Sequence, residues 1–439
     1  MPRFVKIGVL MVIGSVLMAS SALSQVPRRN YCDTTPIRGN AFDQPSKHAW
    51  DLFVSLNHPA IDRKIARGVP DCSKPLGAPG TTSVWETWRN AASEVYLGDG
   101  AEPPLWDDTT KLKDEAPGRV PLPQKPAVGG GLGIQFSPTD GIFHNAGGFG
   151  ETRMNRATYE FIRSQCLVSV EGQQRYAMAV ETKKKPPIQF PPDSIEVKAA
   201  WIDFDDPQGD GEDGKPGSLP PISAEKRRTY YTVDYTDESK KTKHYGLIAL
   251  HVITKDVANW FWASFHHKDQ PKDDVVMTSP DDYGMPNSVT GTVWENYLLS
   301  GTQVDFTLPT GQPTLLSDHN VEFGFVRSSC ITCHATATIS REIWLSGTGR
   351  KFTSMPNGQQ RAVCAMTPAD GGGAKQCGPL LGDGAFQPGT EKLVMERGIP
   401  DPRWFERDRK PFYLQTDFVW SISFRGKSEA APPPARCNW

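Results

Sequence analysis

Beyond its first two dozen positions, the 439-residue chain has no unbroken apolar run approaching the about 20 residues that a bilayer span requires. The mature protein is therefore expected to have no membrane span. A surplus of positive charge is also missing, since 48 Lys and Arg stand against 50 Asp and Glu for a formal net charge of −2. That balance gives no support to a basic nucleic-acid-binding surface, and no nucleic-acid partner is expected. There is no internal repeat and no strand-helix alternation of the doubly wound type, which argues against solenoids and dinucleotide-binding sheets. Cysteine is sparse at eight residues, but its distribution is informative.

The first residues do contain an apolar run. Arg3 and Lys6 precede Ile7 to Met18, and small residues follow up to Ser24. A positive start, an apolar stretch of about a dozen residues and an Ala22-x-Ser24 site read as a cleavable secretory signal over residues 1–24. Its removal takes away two positive charges and makes the mature chain more acidic.

An oxidising destination agrees with the cysteines. Six of them, Cys32, Cys72, Cys166, Cys364, Cys377 and Cys437, form an even set expected to pair as disulfides. Cys364 and Cys377 flank a Gly-rich segment, Ala369 to Gly373, so closing that short loop costs little, and they are the favoured pair.

Along the chain, Ser46 is placed to cap a helix carrying Ala49, Trp50, Phe53 and Leu56, which Asn57-His58-Pro59 ends. Val84 to Trp88 suggests a second helix, and Asn155 offers a cap for a third through Tyr159, Phe161 and Ile162. Between about Gly98 and Gly150, Pro and Gly without periodicity indicate a long surface connection. From about Arg175 to Phe265 the pattern turns to strands. Ile195, Val197, Ala199 and Trp201 alternate with Glu196 and Lys198, as in a strand with one buried face, and Tyr230 to Tyr235, Gly246 to Lys255 and Trp260 to His266 add three more. The last two are spaced to pair antiparallel. The acidic loop from Asp203 to Gly214 fails calcium-loop spacing at Pro207 and reads as a solvated loop. Lys183-Lys184-Lys185 reads as a hydrated strand end.

The strongest chemical signal is Cys330-Ile331-Thr332-Cys333-His334. Two thiols three positions apart on a helical turn can each form a thioether with a haem vinyl group, and the next residue presents an imidazole to the iron. A thiol-disulfide redox pair would need a thioredoxin-like β-α-β setting, and zinc would need a second ligand pair at matching spacing. Neither context is in the sequence. The motif predicts one covalently bound haem c, attached through Cys330 and Cys333, with His334 as proximal iron ligand.

Trp50-Asp51-Leu52-Phe53-Val54-Ser55-Leu56-Asn57, Ile195-Glu196-Val197-Lys198-Ala199-Ala200-Trp201, Gly246 to Lys255, the C-x-x-C-H and Thr416-Asp417-Phe418-Val419-Trp420-Ser421 together resemble a family of large exported bacterial proteins described as cytochrome c family proteins. The resemblance spans most of the mature chain and implies haem binding and electron transfer without naming a substrate. Where that family reads Phe-Glu-His, this chain has Phe265-His266-His267, which marks His266 as the variable position.

The sixth iron position stays open among His251, His267, Met355, Met366, Met395 and no protein ligand. His251 and His267, in strand-like runs, also read as plain core histidines. Trp344, Trp404 and Trp420 are placed to wall the haem, and Asp417 to cap a helix or to orient a propionate or Arg425. Three functions follow: a periplasmic single-haem electron carrier with a periplasmic redox partner protein, an exported haem oxidoreductase with an open distal site and His251 or His267 as general base, and a haem-based sensor. The first is favoured. The expected fold is α+β, with residues 25–316 forming an antiparallel β-rich body with packed helices and residues 317–439 a mainly helical haem-binding region.

Overall fold

A computed structural model describes residues 40–109, 148–205, 222–236, 242–269, 277–318, 329–345, 351–353, 362–366, 375–379, 398–400 and 402–439. Their centre is a seven-stranded antiparallel sheet. Its strands are β1 (Arg89–Asn90), β2 (Gly148–Met154), β3 (Ile195–Asp203), β4 (Thr232–Thr236), β5 (Thr242–Thr254), β6 (Phe261–His267) and β7 (Tyr297–Gln303). The order is β1-β2-β3-β5-β6-β7, with β4 pairing the outer part of β5. The expected β5–β6 pair forms, with His251 opposite Ser264 and Ile253 opposite Trp262. A bulge that skips Ile248 of β5 shifts the β3–β5 register, so Leu247 stands opposite Trp201.

One face of the sheet is the main core. The helix α1 (Pro45–Leu56) lies against it, and Trp50 and Phe53 meet the Phe265 ring at 5.1 and 4.4 Å. Trp294 and Tyr297 complete this aromatic cluster around Phe53. The helix begins at Gln44 with Pro45 in its first turn. Ser46 is thus inside it, accepting a hydrogen bond from the Asp282 N–H instead of capping the end. Asn57 closes it, since both its backbone and side-chain N–H donate to Phe53 O. The helix α2 (Arg156–Ser164) starts at the expected Asn155, whose side chain accepts from the Thr158 N–H. A third helix, α3 (Val170–Glu181), falls where strands were expected to begin, so Lys183 to Lys185 follow a helix and not a strand. A single-turn helix, α4 (Ala224–Arg227), precedes β4.

The second face is covered too, which corrects the expectation of one buried face on β3. Glu196 is only 6% exposed because the short helix α6 (Trp420–Arg425) packs there, with the Ser421 hydroxyl donating to the Glu196 carboxyl. Residues 420–425 thus convert what looks like a polar edge in the sequence into an interior surface.

The fold is mixed α+β. The expectation of a mainly helical C-terminal region does not match the described residues. There they form two six-residue helices, α5 (Cys330–Ala335) and α6, among short antiparallel pairs such as Thr338–Ile339 with Leu414–Gln415. Turns such as those before Pro411 and after Gly426 break the chain too often for long helices. Val84 to Trp88 likewise yields only a 3₁₀ turn over Trp85–Thr87. No helix among the described residues is long and apolar enough to cross a membrane.

Candidate functional site

The C-x-x-C-H segment forms α5. Ser329 caps it by accepting from the Thr332 N–H, and the end of β7 anchors the same turn. The Gln303 amide accepts from the Ile331 N–H at 3.2 Å and donates to the hydroxyls of Ser329 and Thr314, both at 2.9 Å. Ile331, Thr332 and Ala335 turn inward, and Thr332 donates to Gly398 O at 2.7 Å. That leaves Cys330, Cys333 and His334 on the less buried side of the helix, where spacings of three and four residues share a face. Both cysteines carry thiols, and the Cys330 thiol donates to Leu316 O at 3.0 Å.

His334 is oriented by two contacts. Its Nδ1 lies 2.9 Å from Phe418 O, and its ring meets Trp262 of β6 edge-on at 4.6 Å. A carbonyl only accepts, so the hydrogen bond assigns the proton to Nδ1 and leaves the Nε2 lone pair for a metal. Burial pushes the His334 pKa down to about 4, with the nearby Lys198 charge adding to the effect and the Phe418 hydrogen bond opposing it. At neutral pH the imidazole is uncharged, the form that ligates iron.

The Phe418 carbonyl is aimed by an unusual turn. Asp417 and Phe418 both have left-handed backbones, with φ of 50° and 71°. Such conformations cost non-glycine residues energy and persist where surroundings enforce them. Here Asp417 accepts from Lys255 Nζ at 2.6 Å and from the Phe190 N–H at 2.8 Å, in a pair whose side chains are largely buried. Asp417 is therefore neither the cap of α6, which starts at Val419 without a side-chain cap, nor the partner of Arg425 suggested by sequence. Gln415 and Trp420 donate to the carbonyls of Ala335 and Cys333, so residues 415–420 also satisfy the end of α5.

Register places several polar residues on the face beneath α5. Partners across an antiparallel pair share a face, which groups Lys198, His251 and Ser264 in one row, with Trp262 and His266 two positions to either side of Ser264. The Nε2 of His251 and the hydroxyl of Ser264 are both enclosed and have no hydrogen-bond partner. Burial lowers the His251 pKa to about 3, helped by the charges of Lys198, His334 and His266. His266 bonds through Nδ1 to the Ser300 hydroxyl at 2.5 Å.

His267 points to the opposite face. It stacks on Tyr230 at 3.7 Å, its Nε2 donates to Thr229 O, and its Nδ1 accepts from the Asp269 N–H. With both nitrogens engaged, it is a core residue. Met355 and Met395 lie outside the described residues, as does the Met366 side chain. Of the tryptophans singled out from sequence, Trp420 adjoins α5 through Cys333 O, whereas Trp344 packs with Phe352, Phe412 and Tyr413. The Trp404 side chain lies outside the described residues. The sequence assigns no individual role to Trp262, Ser264, Gln303, Lys255 or the Phe418 carbonyl, although all but Gln303 fall in the runs Gly246 to Lys255, Trp260 to His266 and Thr416 to Ser421.

The remaining cysteines follow the expected pairing in part. Cys166 is bonded to Cys437, and Cys72 is disulfide-bonded. Cys364 and Cys377 are direct register partners in the hairpin of Ala362–Met366 with Lys375–Pro379. Among the described residues no group of three or more His, Cys, Asp or Glu converges as an ion site. Comparison of the chain with protein-family models, curated proteins and solved structures found no match.

Proposed function

We propose that the chain is an exported, periplasmic c-type cytochrome acting in electron transfer, with one haem attached through Cys330 and Cys333 and His334 as the proximal iron ligand. The observation that carries this reading is the hydrogen bond from His334 Nδ1 to Phe418 O, on the one imidazole that follows the Cys pair. A carbonyl acceptor behind a ligating histidine fixes ring and tautomer, which a chance C-x-x-C-H has no reason to supply.

When bound, the haem supplies one-electron chemistry at its iron. The chain's residues hold and tune it. Ser329 and Gln303 set the start of α5, so the two thiols face one side. Lys255 and Asp417 hold the turn that presents Phe418 O. Trp262 fills the flank of the His334 ring and limits water there. The disulfide of Cys166 with Cys437 supports the exported setting, because such bonds persist outside the reducing cytoplasm. The resemblance to exported cytochrome c family proteins points the same way, and a periplasmic redox protein is the proposed partner.

The test is covalent haem itself. The double variant Cys330→Ala, Cys333→Ala is expected to lose all haem staining on a denaturing gel while the wild type keeps it. Staining that persists in the double variant overturns the proposal.

A further inference from the structure

We infer that His251 supplies the second axial ligand to the iron through Nε2, so that the haem is held between α5 and the sheet face beneath it. This rests on the haem reading above and adds to it the identity of the distal ligand. The argument begins with an unmet requirement. A buried imidazole nitrogen without a partner costs about 1–3 kcal/mol, and folded chains seldom leave one so. The Nε2 of His251 is in that state, and so is the hydroxyl of Ser264, its register partner on β6. Two such groups side by side mark a place where the protein alone does not complete the bonding.

Position supplies the second step. The His334 ring rests on Trp262, and Trp262 stands opposite Ile253, two residues from His251 on β5. Diagonal neighbours of this kind lie about 7–8 Å apart. His251 thus shares the face and the neighbourhood of the proximal ligand without touching its hydrogen bond to Phe418 O. An iron–nitrogen bond would satisfy Nε2, and Ser264 is placed beside it to hold an ordered water or a polar edge of the group.

The other imidazoles nearby are committed. His266 is bonded to Ser300 and His267 to Thr229 O and the Asp269 N–H, the latter on the core face. His48 also has an enclosed nitrogen without a partner, but its Nε2 pairs with Asp256 and its ring packs on Phe261, again on the core face.

Ligation can be read directly from the purified full-length holoprotein. A near-infrared magnetic circular dichroism band of bis-imidazole ligation is expected in the ferric wild type, with a low-spin spectrum that carbon monoxide does not change quickly. His251→Gly should turn the iron high-spin, admit carbon monoxide rapidly and regain the low-spin spectrum when free imidazole is added. A His–Met band in the wild type would assign the ligand to a methionine and overturn the inference. So would a wild type that is high-spin and binds carbon monoxide at once, the behaviour of an open enzyme site. An unchanged spectrum in His251→Gly overturns it as well. If the variant does not accumulate, the wild-type band still decides between the ligands. Absence of covalent haem from the wild type would instead defeat the haem reading.

Discussion

The two faces of the central sheet are made from alternate residues of the same strands, and they differ in what covers them, α1 and its aromatic side chains on one and the short helices α5 and α6 on the other. On the core face, Trp50, Phe53, Phe265 and Tyr297 interlock, and His267 uses both ring nitrogens. On the other face, Glu196, Lys198, His251, Ser264 and His266 lie beneath α5 and α6, and two of them have enclosed atoms with no partner. The neighbours His266 and His267 show the contrast at one step of the chain. A face filled by aromatic packing lies directly behind one lined by imidazoles, an amine, a hydroxyl and a carboxyl, and the haem site proposed above lies on the second.

That contrast can be broken by substitution. Phe53→Ala should have the largest effect on stability, a loss of about 3–5 kcal/mol in denaturant unfolding, because it empties the centre of the aromatic cluster. It should leave the haem spectrum and potential unchanged. A spectral change as large as the stability loss would mean that the two faces are not separable.

Asp417→Asn should come next. It leaves Lys255 without its charge partner, and breaking a largely buried pair costs about 3 kcal/mol. The looser Phe418 carbonyl should also weaken its hold on His334 Nδ1, raising the reduction potential in a voltammetric titration. An unchanged potential would show that the turn supports the fold and not the ligand.

The smallest effect is expected from Glu196→Gln and depends on pH. Burial raises the Glu196 pKa from 4.5 to about 7, against the opposing Ser421 hydrogen bond and Arg425 charge. Across that window the folded state keeps a proton that the unfolded state has released, so wild-type stability is fully present at low pH and falls as pH climbs through it. The variant lacks this slope and should exceed the wild type at pH 8 by about 2 kcal/mol, with the difference vanishing near pH 4. Parallel melting-temperature curves for the two proteins would contradict this.

Much of this layout is legible in residue order, and the limits have physical causes. Alternation in Ile195 to Trp201 and Gly246 to Lys255 announces β3 and β5, and Asn155 announces the start of α2, because local chemistry decides them. Strand β2 escapes notice, since Gly148 to Met154 has little apolar alternation and is a strand only through its pairing with β3. Cys330, Cys333 and His334 stand out because the covalent attachment proposed for them requires a fixed local spacing. Asp417 and Lys255 are 162 residues apart, and nothing local links them. Left-handed backbones at Asp417 and Phe418 are equally invisible, because neither is glycine and the tertiary surroundings impose them. His251 and His267 look alike in sequence. Only register separates an imidazole with an unmet nitrogen from one fully engaged.

The bond between Cys166 and Cys437 spans 271 positions. Strands β3 to β7, the short helix with the thiols and the turn behind His334 all fall within that covalent ring. A single cut anywhere inside it leaves two fragments still tied together. Proteolysis at one exposed loop would therefore nick the protein without releasing the histidine, the cysteines or the sheet from one another, and the assembled site should survive damage that would dismantle an open chain.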